Sequence, residues 1–163
     1  MNAIIKFLRG EGPDDKGRTL NDILNLSNEQ LEQSHDVIQW LFPLTEPSHY
    51  NEDAPVLTDS DVIYLKSDDE TKAGILKSYN RFMEFYKQDR WSNLHWISLY
   101  NHNYLRITRI LKCLTLAGML KERDEFKNYS DIIYVTCSME IGKKTKRFWD
   151  DACGLISTAK EAK

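Results

Sequence analysis

Two groups of polar side chains have types and spacings that could do chemistry. His102, Arg106 and Arg109 recur at i, i+4 and i+7, so a helix sets them on one face, with Asn103 beside them. His35 and Gln39 stand four residues apart and share a face in the same way. Two guanidinium groups and an imidazole suit an anion, because the guanidinium fork bonds carboxylate or phosphate oxygens in pairs. Arg18, in a turn upstream, adds a third arginine. If the two helices met, imidazole, amide and guanidinium groups would line one cavity. The same residues also read as internal networks. Arginines then pair with Asp15, Asp36 or Glu46, and a histidine on an apolar stripe donates to a backbone carbonyl.

Other chemistries find less support. His35, Asp36, His49 and His102 show neither HExxH nor Cys/His spacing, so no metal is expected, and no cofactor. Cys113 lies three turns from His102 on the same predicted helix, too far for the imidazole to activate the thiol. Gly10-x-Gly12 runs into Pro13 and matches no phosphate-cradling loop. The net charge of −3 and a pI near 5.8 argue against nucleic acid, whose binding relies on phosphate neutralisation. The basic cluster Lys143-Lys144-Thr145-Lys146-Arg147 reads as the solvated face of a helix. Three cysteines without a CxxC pair leave one over, which favours a reducing, cytoplasmic setting. No apolar run is long enough for a membrane span, and Lys6 breaks the opening segment as a secretory signal.

The elements that must position these residues read as helices throughout. At 163 residues, with 41% hydrophobic and 29% charged, the chain is expected to form one domain over 1–163. A short helix covers 2–9, and Thr19 with Asp22 caps the next one. Ser27 to Gln30 is a capping box opening a signature helix, on which Leu31, His35, Ile38 and Phe42 form one core-facing stripe. Pro43 stops that helix, and a long loop rich in turn formers follows. Thr58 with Asp61 starts another helix, and Ser67 to Glu70 reads as a further capping box. Ile75, Tyr79, Phe82, Met83 and Tyr86 mark a long apolar stripe, and 88–93 a break. Helices are expected over 101–117, 120–137 and near 143–157, with Gly118 as a stop and Ile132 to Val135 as a competing short strand. The fold class is therefore all-α: a single-domain multi-helix bundle with a long ordered loop after the signature helix.

The run His35-Asp36-Val37-Ile38-Gln39-Trp40-Leu41-Phe42-Pro43, continuing through Glu46, Ser48, Asn51 and Ala54-Pro55, resembles the opioid growth factor receptor conserved region. Val37 stands where that family carries an aromatic. His102-Asn103 with Leu105 to Leu111 is a second match, and Phe148-Trp149 followed by Ala152 a third. The resemblance implies a binding domain whose ligand is a peptide or protein; for the animal receptor it implies the opioid growth factor, Met-enkephalin. It brings no reaction chemistry, so an enzyme is the less favoured expectation. The alternative is a small enzyme or a protein binding an anionic small molecule through a His/Asn/Arg cavity. Ligand contacts are expected from His35, Gln39, His102, Asn103, Arg106, Arg109 and Arg18. Family relatives associated with the nuclear envelope leave room for peripheral membrane association.

Overall fold

The computed structural model describes residues 1–87 and 96–154. All elements among them are helices, and the one β-type pairing there is an isolated bridge between Ser48 and Asn51. The chain divides into two compact units, Met1–Lys87 and Gln88–Lys163.

In the first unit, α1 (Ala3–Leu8) buries Ile4, Ile5, Phe7 and Leu8. It lies so close to α6 (Asp69–Lys87) that a Cβ on Gly74 would sit 2.0 Å from the Leu8 carbonyl oxygen. Only glycine allows that approach. Capping boxes open α2 (Leu20–Leu24) from Thr19, α3 (Asn28–Gln33) from Ser27 and α5 (Asp59–Ser67) from Thr58, as their sequences require. The cap of α6 is displaced from the expected Ser67 box. Asp68 accepts from Thr71 N at 2.8 Å and Thr71 Oγ1 at 2.6 Å, and also takes Arg9 Nη1 at 2.8 Å. A carboxylate there meets both the orphan amides and the positive helix end. The C-terminal carbonyls of the α2 region are closed from α6: Arg81 donates to Leu24 O at 3.1 Å and Leu26 O at 2.7 Å.

The signature segment departs most from expectation. The single helix expected from Ser27 to Phe42 is two: α3 ends at Gln33, and α4 (Ile38–Leu41) starts afresh. Ser34 takes an extended backbone (φ −87°, ψ 109°), and its hydroxyl donates to Gln30 O at 2.7 Å. The residues between are turned so that His35 is exposed, while Val37, Ile38, Trp40, Leu41 and Phe42 are buried. Trp40 packs edge-to-face on Phe7 (centroids 5.3 Å) and Phe42 on Phe82 (5.6 Å). Pro43 ends α4, as expected, and the loop that follows is closed by Leu57 N donating to Leu44 O at 2.9 Å.

In the second unit, α7 (Asn103–Leu116) buries Tyr104, Ile107, Ile110, Leu111 and Leu114. It stops at Gly118, whose φ of +71° lets Gly118 N reach Thr115 O (3.1 Å) and Met119 N reach Leu114 O (2.9 Å). Helix α8 (Leu120–Thr136) includes Ile132 to Val135, so the competing strand does not form. A short α9 (Ser138–Ile141), not foreseen from the sequence, precedes α10 (Lys143–Ala152). The latter ends earlier than 157 among the described residues, and Leu155 lies outside them, as does the break at 88–93. Trp149 is fully buried and donates from Nε1 to Tyr104 O at 3.1 Å. Lys127 bridges Asp131 (2.6 Å) and Asp150 (2.7 Å), tying α8 to α10. Lys143, Lys144 and Arg147 are exposed, as a solvated face requires.

Candidate functional site

The turn before α2 fixes where Arg18 can act. Asp14 is buried, and its Oδ1 accepts the backbone amides of Lys16 (2.9 Å) and Arg18 (2.8 Å). Its Oδ2 accepts Arg18 Nε at 2.7 Å. The same guanidinium reaches Asp36 at 3.2 Å, and Lys16 also pairs with Asp36. Burial disfavours the charged Asp36, but the bonds from Lys16 and Arg18 outweigh it and hold the carboxyl below the usual aspartate range. The guanidinium of Arg18 is thus engaged by two carboxylates. It pins the signature segment to the opening turn at Asp36, within the helix break at 34–37.

Beyond the break, Gln39 is 3% exposed. Its amide nitrogen faces two oxygens, the His35 carbonyl and Ser48 Oγ, each at 3.5 Å. The amide carbonyl Oε1 is buried and has no hydrogen-bond partner among the described residues; the same holds for Trp40 Nε1. Unsatisfied buried polar atoms are rare in folded proteins, and two on adjacent residues of one short helix mark this place. Ser48 belongs to the loop closed by Leu44 and Leu57, where it bridges Asn51 and accepts Tyr50 N at 3.3 Å. Leu44, Ala54 and Leu57 anchor the loop inward. Its outer side presents His49 and Tyr50, the latter 79% exposed. Sequence reading passes over Tyr50; the signal available is an aromatic among turn formers, directly after the signature.

In the second unit the helical register sets Asn103 and Arg106 inward, 0% and 4% exposed, with Arg106 Nη1 at 3.4 Å from Asn103 Oδ1. His102 occupies the N-cap position of α7 and is half-buried, as is Arg109. Asn101 supplies a cap from its side chain, accepting Asn103 N at 2.9 Å. The four residues therefore do not share one environment: two are core, two lie at its margin. Ahead of them Leu99 and Tyr100 stand 68% and 98% exposed, with Tyr100 in the left-handed region at φ 61°. Such a backbone costs a tyrosine on the order of 1–3 kcal/mol. Tyr104 OH, donating to Ser98 O at 2.7 Å, helps to hold the turn. Cys113 is fully buried, and burial pushes its thiol up to about 12, which removes it as a nucleophile. Among the described residues no group of three or more His, Cys, Asp or Glu is placed to hold a metal ion. No described helix is long and apolar enough to cross a membrane.

Known proteins bear on the first of these places. Residues 13–89 match the family model described as the opioid growth factor receptor conserved region. The opioid growth factor receptor of Homo sapiens is 39% identical over 106 residues, which cover 55% of this chain and 15% of the receptor. The receptor of Rattus norvegicus is 35% identical over 120 residues, 63% of this chain and 20% of its own length. The opioid growth factor receptor-like protein 1 of Mus musculus is 37% identical over 131 residues, 70% of this chain and 28% of its own. The matches thus span well under a third of each relative's length. No solved structure matches the chain. The opening turn, both signature helices, the loop and α6 all fall within the matched residues, and the chain belongs to the opioid growth factor receptor conserved-region family.

Proposed function

We propose that this chain is a receptor-like binding module whose ligand is a peptide or protein, and that the loop over 44–57 is its recognition element. The observation that carries the reading is the contrast within that loop. Its base is closed by a backbone bond and three buried side chains, while Tyr50 is 79% exposed at its outer side. A loop already held in shape loses less conformational freedom on binding. A tyrosine offers broad apolar contact and a hydroxyl together, the combination enriched where proteins bind one another. The relatives' name makes the opioid growth factor peptide the first defined ligand to try. Three cysteines without disulfides support a reducing, cytoplasmic setting for this activity.

Calorimetric titration with Met-enkephalin, beside peptides selected from a random library, tests the reading. Binders are expected whose affinity falls about tenfold or more in Tyr50→Ala, the loss typical of a central aromatic contact. Peptides that bind the parent and the variant equally, or a library that yields no binder, overturn it.

A further inference from the structure

A surface of the second unit, on α8 to α10, lies outside the residues that the family model matches. Helices α8 and α10 run antiparallel there: Lys127 pairs with Asp150 (2.7 Å), and Asp131, one turn on, with Lys146 (3.3 Å). The Lys146 ammonium also lies 5.9 Å from the centre of the Tyr134 ring. Phe126 and Trp149 mark the buried side of the pair. One residue past these contacts each helix comes out on their common outer side, at Val135 after Tyr134 and at Arg147 after Lys146. Lys143 is one turn before Arg147. Ile132 and Val135 are 58% and 80% exposed, and Met139, in the short α9 that joins the two helices, 89%. Single exposed apolar residues are ordinary, but three gathered at one end of a helix pair are not. Beside them Lys143, Lys144 and Arg147 are exposed, and none has a hydrogen bond or ion pair among the described residues. Lys127 and Lys146 are balanced by Asp131 and Asp150, so these three cations are surplus to the clamp. Lys143 and Lys144 open α10, at the positive end of its dipole, where a cation does not stabilise a helix.

We infer that this outer face of α8 to α10 docks an acidic amphipathic helix of a partner protein. Apolar side chains of that helix cover Ile132, Val135 and Met139, and its carboxylates pair with Lys143, Lys144 and Arg147. A helix suits the surface because its apolar and acidic stripes run side by side, as the apolar end of α8 and the basic start of α10 do. Nucleic acid answers the cations but leaves three aliphatic side chains uncovered. An anionic lipid sheet is opposed by Glu140 and Asp151, which are exposed near the same cations. Discrete carboxylates can pair with each cation and avoid both acids. The inference uses none of the loop over 44–57 and stands or falls apart from the reading given to that loop.

The experiment uses the full chain and a fluorescently labelled synthetic helix with leucines on one face and glutamates on the other, followed by anisotropy. A companion peptide keeps the glutamates and replaces the leucines by serine. The amphipathic helix should bind, and the companion at least about tenfold more weakly. Lys143→Gln with Lys144→Gln and Arg147→Gln should lose about tenfold or more in affinity. So should Val135→Ser with Met139→Ser, exposed positions whose change leaves the core intact. A control that removes the same charge elsewhere, Lys6→Gln with Lys66→Gln and Lys77→Gln, should bind like the parent, as should Tyr50→Ala. Equal losses in the two charge variants overturn the inference, since attraction is then only to net charge. Equal binding of the two peptides, or an unchanged Val135/Met139 variant, overturns the apolar contact and the inference with it. Vesicles of phosphatidylserine and phosphatidylcholine that bind the chain where the peptide does not overturn it in favour of a membrane. Loss of binding in Tyr50→Ala alone also overturns it, and moves the peptide to the loop. Failure of the amphipathic helix to bind overturns it and leaves the loop reading standing.

Discussion

At the scale of single residues, burial and partners decide what each signature side chain does. Trp40 is 4% exposed and packs on Phe7, so Trp40→Ala should cost about 3–5 kcal/mol in denaturant unfolding by emptying a core position. A loss below about 1 kcal/mol would mean that the indole is not a core group. Asp36 behaves differently because its contribution is electrostatic. Its folded-state carboxyl titrates below the ordinary value of 3.8, so its stabilising effect is fully present above that value. The effect is lost as pH falls through the lower, folded-state value. The melting-temperature gap between the parent and Asp36→Asn should therefore stay constant at mildly acidic and neutral pH and close below 3.8. A gap that widens on acidification would show that the pairing with Lys16 and Arg18 has the wrong sign.

At the scale of elements, the fold depends on where helices end and how closely they approach. Capping boxes at Thr19, Ser27 and Thr58 are local i, i+3 patterns, and each is where the sequence indicates. The signature helix is not, because periodicity continues through His35 while the chain does not. Within the interruption Asp36 is held by Arg18 and Lys16, an ion-pair contact that leaves no trace in the pattern of apolar positions. Close approach is equally invisible to periodicity. Gly74 lies in the middle of α6, where propensity alone would favour alanine. Gly74→Ala should instead destabilise by about 3 kcal/mol or more, because its Cβ meets the backbone of Leu8 rather than a side chain that can move. An unchanged or raised melting temperature would show that α1 and α6 are further apart than described.

At the scale of the whole chain, the thiols report on compartment and core together. All three cysteines are unpaired, so labelling of the unfolded, unreduced protein should modify Cys113, Cys137 and Cys153 alike. In the native state Cys113 should stay silent, since it is 0% exposed and its thiol is held at about 12. Recovery of a single reactive thiol after unfolding would reveal a disulfide. Rapid native labelling of Cys113 would reveal an open core around α7.

The sequence by itself determined what is local or written in residue type. It specified an all-α chain, most helix starts, the stops at Pro43 and Gly118, and the family, through the run from His35 to Pro43. Each follows from spacing along the chain or from backbone constraints within a few residues. Tertiary structure decided which polar residues remain outward. It engaged Arg18 with Asp14 and Asp36, exposed His35, and buried Gln39 with one acceptor unfilled among the described residues. It also raised Tyr50 on a closed loop. Those outcomes depend on contacts between residues far apart in sequence, and on whether desolvation is compensated at the place where each side chain lands.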